Sequence, residues 1–158
     1  MYDDAYATCG ETYVTLRIYQ IHPDEVTARL RLQPDSVLVK GERWKTRAGR
    51  SSVPARVNGW FFTSKGRVES RDVRRHLDWL LDQIEPHAGT LGELQASGGK
   101  MDVSCYWESL SGHGGPTLSP STMGRLAVLG LETWFDVYFA AGIEEGSTWP
   151  GPGGMKPH

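Results

Sequence analysis

Polar and apolar positions alternate along several stretches of this chain, and elsewhere the apolar ones recur at helical spacing. Tyr13-Val14-Thr15-Leu16-Arg17-Ile18-Tyr19 puts Val14, Leu16 and Ile18 on one side, the period of two expected of a half-buried strand. Gly59-Trp60-Phe61-Phe62-Thr63-Ser64 predicts another strand, closed by a Lys65-Gly66 turn. Met101 to Trp107 sets Met101, Val103, Cys105 and Trp107 against Asp102, Ser104 and Tyr106, and Thr133 to Phe139 is the last strand. Val37-Leu38-Val39 opens a further strand, expected to reach Trp44. The longest helix carries Val73, Leu77, Leu80, Leu81 and Ile84 in one stripe, with Ser70 as the expected N-cap, Asp72 in the first turn and Pro86 as the stop. A shorter helix holds Leu91 and Leu94 and ends at Gly98-Gly99.

Two segments resemble each other. Ile21-His22-Pro23-Asp24-Glu25-Val26 runs to Leu32, and Leu118-Ser119-Pro120-Ser121-Thr122-Met123 runs to Leu129. Each follows a strand, sets a proline after a polar residue and continues with helical spacing. Proline costs nothing at the first helical position, whose N–H has no partner within the helix. Gln33-Pro34-Asp35 stops the first of the two. With strands on either side, these segments predict duplicated β-α-β units. The fold class expected is therefore α+β: an antiparallel or mixed sheet of about five strands, helices mainly on one face, and a ferredoxin-like core. Residues 1–11 read as a frayed start, 12–140 as a single domain, and 141–158 as a disordered tail rich in Gly and Pro.

Composition changes this picture little. At 158 residues the chain can bury a core without staples, and no apolar run is long enough to span a membrane. Met1-Tyr2-Asp3-Asp4 lacks the basic and apolar regions of a signal peptide. Two cysteines, Cys9 and Cys105, make no disulfide framework, and a cytoplasmic setting is expected. Charge adds more. Lys and Arg number three against six Asp and Glu in residues 1–39, eleven against three in 40–75, and three against ten in 76–158. A basic block between acidic flanks serves either an acidic partner or the fold itself.

The candidate site lies at the start of that block. Lys40-Gly41-Glu42-Arg43-Trp44 and Asn58-Gly59-Trp60 bring two indoles and several cations beside glycines, so Lys40, Arg43, Trp44 and Trp60 are the expected binding residues. Such a face suits a protein partner or a small anionic ligand. The alternative is a hairpin whose tryptophans pack on the sheet. Arg43 to Arg56 has the clustered cations that phosphates require, but a sequence pI of about 6.2 argues against a nucleic-acid-binding domain. His76, four residues after Asp72, has the spacing of an acid–base pair and equally of ordinary helix-surface chemistry. The five histidines form no ligand motif, so no metal and no cofactor is implied. Ser111-Gly112-His113-Gly114-Gly115-Pro116-Thr117 lacks the Gly-Lys-Ser/Thr ending of a phosphate loop, and no catalytic signature is present.

An ordered series of these segments resembles a known family. It comprises Pro23-Asp24-Glu25-Val26 after the first strand, Leu32-Gln33-Pro34, Lys40-Gly41-Glu42, Gly59-Trp60 with Ser64, His76-Leu77-Asp78-Trp79-Leu80-Leu81, Leu118-Ser119-Pro120, Leu126, Leu129 and the strand from Trp134 to Tyr138. Together they resemble the bacterial domain-of-unknown-function family 4279 over roughly residues 12–140, with the Arg50–Val57 stretch outside. The resemblance implies no catalytic residue. The function expected is non-enzymatic binding, with an immunity-type protein that neutralises a toxin as one form of it. A small enzyme whose site is assembled by the tertiary fold is the alternative, and nucleic-acid binding through the basic loop is a weaker one.

Overall fold

In β1 (Cys9–Tyr19), Val14, Leu16 and Ile18 are fully buried, and Tyr13, Thr15, Arg17 and Tyr19 lie half-buried between them. This strand is the centre of the molecule. The structure, a computed structural model, describes residues 1–140; the expected tail at 141–158 lies outside the described residues. Chain order continues with α1 (Pro23–Leu30), β2 (Ser36–Leu38), β3 (Gly59–Thr63), α2 (Val73–Ile84), α3 (Ala88–Ala96), β4 (Lys100–Ser109), α4 (Pro120–Val128) and β5 (Glu132–Phe139). The sheet runs β2-β3-β1-β4-β5. All neighbours are antiparallel except β4 and β5, which are parallel, so the sheet is mixed and the domain is α+β.

Register decides which side chains share a face. Leu16 pairs with Phe62 and Val103, Ile18 with Trp60, and Val14 with Cys105, so the apolar phases of three strands coincide. Every helix adds to that same side: Val26 and Leu30 from α1, Leu77, Leu80, Leu81 and Ile84 from α2, Leu91 and Leu94 from α3, and Leu126 from α4. All four helices therefore cover one face. Burying their stripes against these strands is the main favourable term in folding, at ~25 cal/mol per Å² of apolar surface.

The helix starts follow local chemistry. His22 Nδ1 accepts from Asp24 N and Ser119 Oγ from Thr122 N, each just before a proline in the first turn. Both proline-led segments are helical, and both leading strands belong to the one sheet. Their return strands differ: β3 lies between β1 and β2, whereas β4 and β5 are neighbours. The cap of α2 is Asp72, not Ser70. Its carboxylate accepts from Arg74 N, and Ser70 Oγ accepts from Asp72 N one step earlier. As expected, α2 ends just before Pro86, at Ile84. Pro86 sits in a 3-10 turn, Glu85–His87, that links α2 to α3, because a proline in a first turn removes no needed donor.

Two boundaries differ from expectation. β1 begins at Cys9, and the residues before it are held down rather than frayed. Asp3 N donates to Asp72 Oδ2 at 2.8 Å, Tyr6 O–H to Gly115 O at 2.8 Å, and Arg75 pairs with Asp4. β2 stops at Leu38 instead of reaching Trp44. A turn at Lys40-Gly41, with Gly41 at φ +87°, sends the chain outward. Residues 41–55 then form an irregular hairpin through Gly41 N to Ala55 O, Ala55 N to Glu42 O, Ser52 N to Trp44 O and Thr46 N to Arg50 O. As expected, that basic segment is exposed.

Candidate functional site

The face without helices is built from the other phase of the same strands. β1 contributes Tyr13, Thr15, Arg17 and Tyr19, β3 Phe61 and Thr63, β4 Asp102, Ser104, Tyr106 and Glu108, and β5 Glu132, Trp134, Asp136 and Tyr138. A sheet face in water ordinarily carries small polar or charged residues. Here it carries aromatic ones in two groups. Tyr13 stacks on Tyr106 with centroids 4.7 Å apart, and Tyr106 on Tyr138 at 5.2 Å, so three rings cross from the central strand to the edge. Lys65 Nζ lies 4.5 Å from the Tyr13 centroid and closes the inner end of that row. In the second group, Tyr19 meets Phe61 edge-on at 5.6 Å. The Arg17 guanidinium sits between Tyr19 and Trp134, 4.9 Å from the Trp134 centroid, and binds Asp102 through two bonds of 2.6 and 2.7 Å. The paired carboxylate, set against burial, raises the Arg17 pKa further.

Between the two groups runs a row of small hydroxyl residues. Thr63, Thr15 and Ser104 are in register, with Thr15 and Thr63 hydroxyls 3.1 Å apart. At its β3 end the row opens into a basin of about 330 Å³ walled by Tyr13 and Phe61, floored by Thr15 and Thr63, and rimmed by Asp35 and Lys65. Asp35 is fixed there by Arg67 and by Thr63 N. Burial raises its pKa, but these two donors outweigh that effect and hold it below the usual carboxylate value. On the strands themselves this face carries two cations, Arg17 and Lys100, against five carboxylates: Glu11, Asp102, Glu108, Glu132 and Asp136. Arg17 is consumed by Asp102, so the uncompensated charge is negative.

The residues expected to form one site are not brought together. Trp60 is fully buried on the helix side, stacked 5.9 Å from Phe62, with its indole N–H donating to Thr27 Oγ1 at 3.0 Å. Its phase along β3 points it into the core; it is no part of a docking face. Lys40, Arg43 and Trp44 lie on the exposed hairpin, Trp44 at 41% exposure, and Arg43 Nη1 donates to Ser52 O. Asp72 and His76 are not an acid–base pair. Arg74 takes the Asp72 carboxylate at 2.6 Å. His76 meets Ser64 Oγ through Nδ1 at 2.7 Å and the Ser70 carbonyl through Nε2 at 2.9 Å. The carbonyl can only accept, so Nε2 carries the proton and the Ser64 hydroxyl donates to Nδ1. This Ser–His contact has no acid behind it, Ser64 is fully buried, and Ser64 Oγ also accepts from Val14 N. It ties β1, β3 and α2 together, with the Ser64 hydroxyl held inside the core. Burial lowers the His76 pKa and keeps the ring neutral. Burial also pushes the thiols up, Cys9 to about 11 and Cys105 to about 12, which makes both poor nucleophiles. Among the described residues no group of three or more His, Cys, Asp or Glu is placed to hold a metal ion.

The aromatic face is not legible in any single segment, because the second phase of each strand reads as the solvent phase. The signal was present: Tyr13, Tyr19, Phe61, Tyr106, Trp134 and Tyr138 all occupy that phase. Only register shows that they adjoin.

Fold and site together define an α+β domain whose mixed sheet is covered by helices on one side and left aromatic and acidic on the other. Residues 10–140 match the family described as a domain of unknown function, DUF4279, and the chain belongs to it. The match includes the Arg50–Val57 stretch that the sequence resemblance left out. No curated protein and no solved structure matches the chain. No helix among the described residues is long and apolar enough to cross a membrane.

Proposed function

We propose that this protein is a non-enzymatic binding protein that docks a protein partner on the helix-free face of its sheet. The observation that carries the proposal is the aromatic row from Tyr13 through Tyr106 to Tyr138, where rings that could have been buried stay accessible beside Glu132 and Asp136, carboxylates of β5 on the same face. Aromatic residues at such a surface provide contact area at low entropic cost. The carboxylates select partner segments that carry Arg or Lys. This favours a basic protein segment over the small anionic ligand suggested by the tryptophans. Neutralising a basic toxin, as an immunity-type protein does, fits this chemistry. The ferredoxin-like core with duplicated β-α-β units is the finer fold assignment we favour, supported by the interleaving of β1-α1-β2 with β3-α2-α3-β4. The hairpin with Lys40, Arg43 and Trp44 is a second docking point, for an acidic partner, favoured by the exposure of Trp44 among cations.

Titrating the isotopically labelled protein with a short peptide alternating arginine and tyrosine, and with one alternating glutamate and tyrosine, separates the two surfaces. The basic peptide should shift the amides of Tyr13, Thr15, Phe61, Thr63 and Trp134, and Tyr13→Ala should weaken it about tenfold, the usual cost of losing one good contact. A basic peptide that leaves these amides unmoved, while the acidic one shifts residues 41–55, would transfer the function to the hairpin.

A further inference from the structure

β5 ends the sheet, and among the described residues nothing pairs with its outer side. The opposite edge, β2, is only three residues long and leads into the cationic hairpin; short length and nearby cations both discourage pairing by another chain. β5 has no such protection. It runs eight residues, Glu132–Phe139, in unbroken register with β4, without proline, lysine or bulge. Its surroundings are apolar as well. Of the twelve large hydrophobic residues that the described chain exposes, six lie on α4 and β5: Met123, Val128, Trp134, Val137, Tyr138 and Phe139. Such a concentration marks a contact surface.

We infer that this edge is where two copies of the chain meet, β5 against β5, antiparallel about a two-fold axis at Phe135, joining their sheets into one. The occupant follows from the edge itself, Glu132-Thr133-Trp134-Phe135-Asp136-Val137-Tyr138. Turned about Phe135, Glu132 faces Tyr138 of the second copy, Trp134 faces its Asp136, and Thr133 its Val137. Residues opposite one another in an antiparallel pair share a face. Each carboxylate therefore meets a phenol O–H or an indole N–H on the open face, and the Phe135–Phe135 and Thr133–Val137 pairs fall on the helix side. Neighbouring registers are worse. An axis at Asp136 opposes that residue to itself, and an axis at Trp134 opposes Glu132 to Asp136, like charges in both cases. Axes between residues would set opposite faces together. Neither Glu132 nor Asp136 forms an ion pair among the described residues, so both are available. The contact is isologous and closes on itself, as stable dimers do. It would extend the proposed docking face continuously over both copies.

Sedimentation velocity of the full chain over a concentration series should show a monomer–dimer equilibrium. Val137→Lys, at a position 49% exposed, should weaken it at least tenfold and leave the circular dichroism and melting temperature close to wild type. Register is read by cysteine pairs. A Trp134→Cys copy mixed with an Asp136→Cys copy should give a crosslinked dimer on oxidation, because paired Cα atoms lie within disulfide reach. Thr133→Cys with Val137→Cys is a second pair, should loss of Trp134 disturb the fold. A chain that stays monomeric up to about 100 µM would overturn the inference. So would a dimer indifferent to Val137→Lys, or an Asp136→Cys copy that crosslinks efficiently to itself.

Discussion

Trp60 and Trp44 show how position decides what one side chain does. Trp60 fills the space between α1 and β3 and satisfies its N–H on Thr27, so Trp60→Ala leaves a cavity and should cost about 3–5 kcal/mol in chemical denaturation. Trp60→Phe keeps most of the volume but orphans Thr27, and should cost less. Arg43→Ala, on the exposed hairpin, should change stability by under about 1 kcal/mol. His76 gives a pH signature. Its folded pKa is lowered by burial, while in the unfolded chain it returns to the ordinary value near 6.5. Below that value the unfolded state takes up a proton that the folded state resists, so the stabilising contribution present at neutral pH is lost as pH falls below 6.5. The carboxylates held low in the fold, Asp35 and Asp72 by their bonded donors against burial and Glu85 by Arg125, lose theirs only below their ordinary values of 3.8 and 4.5. Denaturation curves between pH 7 and 5 should therefore slope for the wild type and flatten for His76→Gln. An unchanged slope in that variant would mean that His76 is not the titrating group.

Elements are joined by polar clasps that no sequence period announces. Arg125 of α4 reaches back to Asp82 at 2.6 Å and Glu85 at 2.7 Å, with Asp78 of α2 at 3.4 Å, and Thr122 adds a bond to Asp78 at 2.9 Å. These groups are partly solvated, so Arg125→Ala should cost only about 1–2 kcal/mol, read as a lowered denaturation midpoint with the same slope. The N-terminal segment is a second clasp. Removing residues 1–8 leaves Asp72 without the Asp3 amide and Arg75 without Asp4, and should lower stability by roughly 1–3 kcal/mol in calorimetry. A truncated chain with unchanged melting would make that segment as loose as its sequence suggests. Its polar composition predicts fraying because nothing local shows that Asp72 would be buried beneath it. By contrast, α2, the proline-led helices and the cores of β1, β3, β4 and β5 are legible, since their period and caps are local facts. The run from Val37 to Trp44 is not, because its apolar start reads as a strand and the turn at Lys40-Gly41 that cuts it short carries no proline or other strong local stop.

At the scale of the whole molecule the sheet is asymmetric: four helices cover one face, and the other is the face we propose for a partner. Hydrophobic periods foretold the covered face, because every strand and helix carries its own half of that core. They could not foretell the open one, because Tyr13, Tyr106 and Tyr138 become a row only through two strand registers, β1 with β4 and β4 with β5. For the same reason Trp60 and Trp44 do not share a surface: the phase of β3 turns Trp60 inward, while Trp44 lies on the exposed hairpin. The acidic charge of residues 76–158 now has a place, since β4 and β5 set four of its carboxylates on the open face. The most direct test is site-specific photocrosslinking in the cells that make this protein, with benzoylphenylalanine placed in turn at Tyr106 on the open face, Trp44 on the hairpin and Ala28 on the helix layer. A discrete adduct should form from position 106 and not from 44 or 28. Adducts only from position 44 or 28 would contradict docking on the open face.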